Sequence, residues 1–173
     1  MMHPYLDAAN VDLKGFRDEV YRRYAEARLQ PVLDSLKKMK QLGIWVEVTT
    51  LIIPTINDDA QELKDAARFV AQELGPETPW HISRFTPAYE VTDLPPTAVA
   101  TLLRAQEIGR EAGLFHAYVG NVPGEANTTC HVCGQLLIRR RGYQVVDNNT
   151  TAGGRCPQCS TVVAGRGMAG AAD

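Results

Sequence analysis

Cys130, Cys133, Cys156 and Cys159 fall as two C-x2-C pairs with 22 residues between them, and they are all the cysteines the chain has. A C-x2-C turn brings two thiolates within reach of one ion. Two such turns supply a tetrahedral shell for Zn, or for iron in a rubredoxin-like site. Zinc is the favoured ion, and four thiolates leave no position for substrate, so the expected role is structural. Two disulfides compete for the same cysteines. Met1–Phe16 lacks the basic start and apolar core of an export signal, and a reducing compartment would keep the thiols free for metal.

A second constellation lies near the start, in DAANVDLKGF, where Asp12 and Lys14 stand two residues apart on one face of a strand. An acid and a base so placed are equally suited to a polar ligand and to a simple salt bridge. In WHISRF, His81 and Ser83 share one strand face and Arg84 takes the other. A single strand histidine is more often a hydrogen-bonded core residue than a catalyst. The strand ends carry no G-x-G-x-x-G, and the chain contains no Walker loop and no G-x-S-x-G elbow, so hydrolysis and phosphate transfer lack their usual signatures.

The elements that must carry these residues alternate. A strand is expected over Tyr5–Leu13, a short amphipathic stretch over Arg17–Tyr24, then a helix with Pro31 in its first turn and Gly43 past its end. Ile44–Ile53 reads as a buried strand halted by Pro54. Asn57 or Asp58 is expected to cap a second helix that ends at Gly75, followed by a strand over Trp80–Phe85. Thr97 is expected to open a third helix, with Val99, Leu102, Leu103, Ala105 and Ile108 inward, before a fourth strand over Phe115–Val119. The strands start about 36 residues apart, the length of one βα unit. Right-handed crossovers then predict four parallel strands side by side. Their C-terminal ends collect Asp12, Lys14, Thr49, Thr50, Asn57, Arg84, Thr86, Gly120 and Asn121 on one rim, suited to a small zwitterion or polyol. Four strands are too few for a barrel, so open edges and an exposed apolar inner face are expected.

At 173 residues and 45% hydrophobic, the chain has room for one core and a small module. The expected division is an α/β domain over residues 1–125, a four-cysteine module with a hairpin made by LLIRR and YQVV over 126–165, and a disordered tail over 166–173. A formal charge of −2 offers no general field for nucleic acid, and Arg139, Arg140 and Arg141 read as a solvated strand face, so neither nucleic acid nor membrane is an expected partner. No apolar run reaches the ~20 residues of a membrane span, and the expected location is cytoplasmic.

The stretches DAANVDLKGF, GIWVEVTTLIIPTIND, WHISRFTPAY, PPT, VGNVPG and CHVCG with CPQC, in this order, resemble the C-terminal part of the radical S-adenosylmethionine enzymes of the AmmeMemoRadiSam system, relatives of the pyruvate formate-lyase activating enzymes. The resemblance spans about residues 4 to 165. It implies the C-terminal half of a partial (β/α)6 barrel. It implies S-adenosylmethionine and a 4Fe-4S cluster as cofactors of the whole enzyme, and hydrogen abstraction from a substrate, often a glycine of a partner protein. By the same resemblance Asp12 and Lys14 contribute to the S-adenosylmethionine site, and Thr50 and Ile52, on the next strand, lie near the adenine. Arg84 and Thr86 close the site, although Thr86 stands where related activases carry histidine. No C-x3-C-x2-C occurs in the chain, so no catalytic residue is assigned and the chain alone is expected to be inactive, a fragment lacking the cluster-bearing half. The alternatives are a non-catalytic metal-binding module that docks on a partner through its sheet edge and, more remotely, a zinc-ribbon nucleic-acid binder.

Overall fold

The computed structural model describes residues 5–142 and 144–168, so residues 1–4, Tyr143 of the expected hairpin, and 169–173 of the expected disordered tail lie outside it. The chain divides between Val122 and Pro123 into two compact units.

In the first unit the order is β1 (Ala8–Asp12), α1 (Asp18–Tyr24), α2 (Leu29–Gln41), β2 (Trp45–Ile52), α3 (Ala60–Phe69) with a wide π-type turn over Val70–Leu74, β3 (Trp80–Arg84), α4 (Val99–Glu111) and β4 (Ala117–Gly120). The sheet runs β1-β2-β3-β4 with every pairing parallel, as the strand spacing predicts. β1 is shorter than its run by three residues at the start and one at the end, β2 by one at each end and β3 by one at its end, while β4 starts two residues later and ends one residue later than its run.

The alternation within β2 decides what each face does. Val46, Val48, Thr50 and Ile52 are buried, and the apolar ones join Leu36, Leu63, Ala67, Val70 and Leu102 of the helices in one core. Trp45, Glu47, Thr49 and Leu51 point the other way and are only half-buried. That open face also carries Asn10, Asp12, His81 and Ser83, so the expectation of an apolar inner face is corrected: the uncovered side of the sheet is largely polar.

Helix ends also depart from the sequence reading. Asp59, not Asn57 or Asp58, caps α3, accepting the N–H groups of Gln61 and Glu62 at 2.9 and 3.1 Å. Thr97 precedes α4 without capping it, and Val99 and Leu103 are exposed because Leu102, Ala105 and Ile108 face the core. Gly109 lies on this inner side, where a Cβ would stand 3.1 Å from both Ala117 and Trp80, so helix and sheet approach closely.

In the second unit β5 (Thr128–Thr129), β6 (Leu136–Arg141) and β7 (Gln144–Asn148) form an antiparallel sheet, β6 and β7 being the expected hairpin. Its core is small: Leu137, Ile138 and Val163 pack with Cys130 and Cys156. Among the described residues, no helix is long and apolar enough to cross a membrane.

Candidate metal centre and strand-end site

The four sulfurs come together. One ligand atom from each of Cys130, Cys133, Cys156 and Cys159 lies within 4.8 Å of all the others. Cys130 to Cys159 and Cys133 to Cys156 measure 3.6 Å, far beyond the ~2.05 Å of a disulfide. A tetrahedron with metal–sulfur bonds of 2.3 Å has edges of about 3.8 Å, so the spacing suits one ion.

Two equivalent turns create the cluster. Cys130 donates its N–H to Gln135 O at 2.8 Å and Cys156 to Thr161 O at 2.9 Å, while Gly134 and Ser160 each donate to the carbonyl of the first cysteine of their turn at 2.9 Å. Gly134 (φ 76°) and Ser160 (φ 60°) both adopt the left-handed conformation that closes such a turn. The hydroxyl and N–H of Thr161 hold the Cys159 thiol down at about 6. Gln135 N–H acts in the same direction on Cys133, but burial and the three neighbouring thiols push that group up to about 12. Loading a divalent ion must therefore displace protons from the cluster.

Two of the three arginines beside this centre are engaged within the unit. Arg139 pairs with Asp147, and Arg140 donates to Ala126 O at 3.1 Å and to the Thr128 hydroxyl at 2.7 Å. These contacts favour a structural use of the run over a nucleic-acid surface.

The strand-end site is built from β1. Asp12 and Lys14 form an ion pair at 2.5 Å with both side chains about half exposed, 52% and 49%. The backbone behind them is held on every side. Tyr21 OH accepts Lys14 N–H at 2.9 Å, and the Asn57 amide donates to Lys14 O and Leu51 O at 2.8 Å each. Asn57 Oδ1 also accepts Ile53 N–H at 2.6 Å, and the residue is only 1% exposed. Glu62, equally deep, accepts Phe16 N–H and Arg17 Nε–H at 2.7 Å each, while Arg17 also reaches Ile56 O. A Cβ at Gly15 would stand 3.0 Å from the Glu62 carboxylate, so the turn passes where a glycine fits best. One strand further along, Thr97 accepts Phe85 N–H at 3.0 Å and donates to Ile52 O at 2.6 Å. Asn57 and Thr97 thus tie neighbouring strand ends together, and Asn57 and Glu62 fix the stretch that presents Lys14.

The other expected cofactor residues are dispersed. Thr50 (2% exposed) receives the Trp80 indole N–H at 2.9 Å, and Ile52 is fully buried, so both side chains lie in the core and face away from Asp12. Thr49 and Leu51 are the β2 side chains on the side of Asp12. Arg84 is half-buried and donates to Thr97 O at 2.9 Å, and Thr86 is exposed. Sequence reasoning missed Glu62 and read Asn57 as a cap. Only their burial and long-range bonds distinguish them from ordinary residues near a helix start.

No protein-family model matches the chain. It is 50% identical over 137 residues to an uncharacterized protein of Methanocaldococcus jannaschii, covering 78% of this chain and 41% of that protein. It is 28% identical over 72 residues to the (2S)-3-sulfopropanediol dehydratase activating enzyme of Klebsiella oxytoca, 42% of this chain and 23% of that enzyme. The chain therefore spans less than half the length of either curated relative. Among solved structures, a domain of the pyruvate-formate lyase-activating enzyme from Bacteroides vulgatus superposes with a TM-score of 0.56 at 17% identity, over 66% of this chain and 68% of that one. The first unit thus belongs to an α/β architecture of parallel strands and helices shared with that activating-enzyme domain, and the chain adds a four-cysteine group suited to a metal ion.

Proposed function

We propose that the chain is the C-terminal part of a radical S-adenosylmethionine enzyme of the AmmeMemoRadiSam type, supplying one wall of the S-adenosylmethionine site and a structural metal module. The observation that carries this reading is the placement of Asp12 and Lys14, held by Tyr21, Asn57 and Glu62 at the C-terminal rim of a parallel sheet. The activating-enzyme fold and the curated activating enzyme among the relatives support it.

Lys14 would meet the carboxylate of S-adenosylmethionine, releasing Asp12 to a polar group of the same cofactor. Thr49 and Leu51 replace Thr50 and Ile52 as the side chains beside the adenine, and Thr86 borders the rim. The chain's own cysteines do not fit the radical-generating cluster, since all four belong to the closed C-x2-C shell and no C-x3-C-x2-C is present. In the complete enzyme that cluster supplies the electron for cleavage of S-adenosylmethionine and comes from sequence outside this chain. The four thiols do fit Zn, which when bound cross-links the two turns and contributes directly to folding of the small unit. The substrate of the whole enzyme is proposed to be a protein, as for glycyl-radical activases, and the location cytoplasmic.

A chimera tests the proposal. The matching C-terminal part of the M. jannaschii relative is replaced by this chain, the product is reconstituted with iron and sulfide, and 5'-deoxyadenosine formation is measured. Cleavage at a rate similar to the unaltered relative supports the reading. A chimera that loads its cluster yet forms no 5'-deoxyadenosine, beside an active parent, overturns it.

A further inference from the structure

The open face of the first sheet carries an ordered polar cluster that neither the core nor the Asp12–Lys14 pair requires. Glu47 on β2 is gripped by two donors, with His81 Nε2 at 2.7 Å from Oε2 and Trp45 Nε1 at 3.2 Å from Oε1. The His81 ring stacks on Tyr118 at 5.5 Å between centroids, and Tyr118 stacks on His116 at 5.8 Å with planes 8° apart. Beside them Thr49 Oγ1 and Asn10 Oδ1 meet at 2.7 Å. On a sheet face the helices leave uncovered, a solvated glutamate and histidine would extend into water. Here the two are packed by their neighbours to 35% and 32% side-chain exposure.

The register relates this cluster to the strand-end site. Asp12 pairs with Thr49, Thr49 with His81, and His81 with Tyr118, so one row crosses all four strands. With strands about 4.8 Å apart, Asp12 and His81 are separated by roughly 10 Å, the span of a small organic molecule. The charges in and next to this row are the Asp12–Lys14 pair, which cancels, and the Glu47 carboxylate. A carboxylate beside an aromatic face favours an ammonium group and disfavours phosphate or a second carboxylate.

We infer that Glu47 and His81, flanked by Tyr118 and Thr49, form a binding site for a small primary amine on the open face of the sheet. The inference rests on the proposed use of that face for ligands and adds the class of molecule held beside the cofactor. Glu47 takes the ammonium, His81 holds the carboxylate in place, and the Tyr118 ring borders the carbon chain.

The test is titration of the full chain with ethanolamine, followed by NMR through the ring signals of His81 and Tyr118. Saturable shifts in the millimolar range are expected. Glu47→Gln and His81→Phe should weaken the response roughly 10-fold, the loss expected for one charge-assisted bond. Glu107→Gln, a surface acid paired with Arg110, should change nothing, and propane-1,2-diol, which lacks the ammonium, should bind far more weakly. No saturable shift in the parent chain, an unchanged response in Glu47→Gln and His81→Phe, or equal binding of the diol overturns the assignment. The assay needs no iron–sulfur cluster, so its failure removes this site alone, whereas failure of the chimera removes the radical-enzyme reading.

Discussion

Replacing Asn57 by alanine removes the knot between the ends of β1 and β2. Its amide donates to Lys14 O and Leu51 O at 2.8 Å each, and its Oδ1 accepts Ile53 N–H at 2.6 Å, all at a residue 1% exposed. Each such bond contributes about 1 kcal/mol net, and alanine leaves three backbone groups in a poorly hydrated place, so the cost is about 3 kcal/mol. With a urea m-value of about 1.5 kcal/mol/M for a unit of this size, the unfolding midpoint falls by roughly 2 M. Tryptophan fluorescence reads this unit alone, because the two tryptophans are Trp45 and Trp80. Asn57→Asp keeps the acceptor for Ile53 but turns an oxygen toward two carbonyls, so its midpoint should fall at least as far. A drop below roughly 0.7 M for Asn57→Ala, the worth of a single bond, would refute the reasoning, as would an aspartate variant as stable as the parent.

Three further outcomes follow from the same structure. Cys156→Ser should reduce bound metal from one ion per chain to a small fraction by elemental analysis and unfold the β5–β7 unit, while the tryptophan-reported transition stays within about 0.3 M urea of the parent. Ser160→Gly should stabilise the metal-bearing unit by about 1 kcal/mol and Gly134→Ala should weaken it similarly, read as chelator resistance, because both positions have left-handed backbone. Asp59→Ala should lower the thermal midpoint at pH 7. The N–H groups of Glu62 and Gln61 hold the Asp59 carboxyl below its ordinary 3.8, so its stabilisation is complete above that pH and lost as the pH falls through the lower folded value. The gap between parent and variant should therefore close in acid.

The order of elements was legible because each βα unit repeats the same punctuation. Pro31 and Gly43 bracket α2, and β-branched runs mark the strands. The thiol cluster was equally legible, since C-x2-C geometry is local and only the meeting of the two turns is tertiary. The polarity of the open face was also written in WVEVTTLI, where Glu47 and Thr49 alternate with Val46, Val48 and Thr50, but the run reads as uniformly apolar when its period is ignored. The use of Asn57, Glu62 and Thr97 was hidden. An asparagine, glutamate or threonine near a helix start looks like a cap, and their partners lie up to 46 residues away in sequence. Val99 and Leu103 misled for a related reason: α4 is turned so that Gly109 can approach Trp80, which swings those two side chains into solvent.

The most direct test of the central claim is the apparent KM of the reconstituted chimera for S-adenosylmethionine with Lys14→Ala. If Lys14 meets the cofactor's carboxylate, KM rises roughly 10-fold or more, the loss of one charge-assisted bond, with iron content and the four-cysteine metal unchanged. An unchanged KM would contradict the account, leaving Asp12 and Lys14 as no more than a salt bridge at the end of a strand.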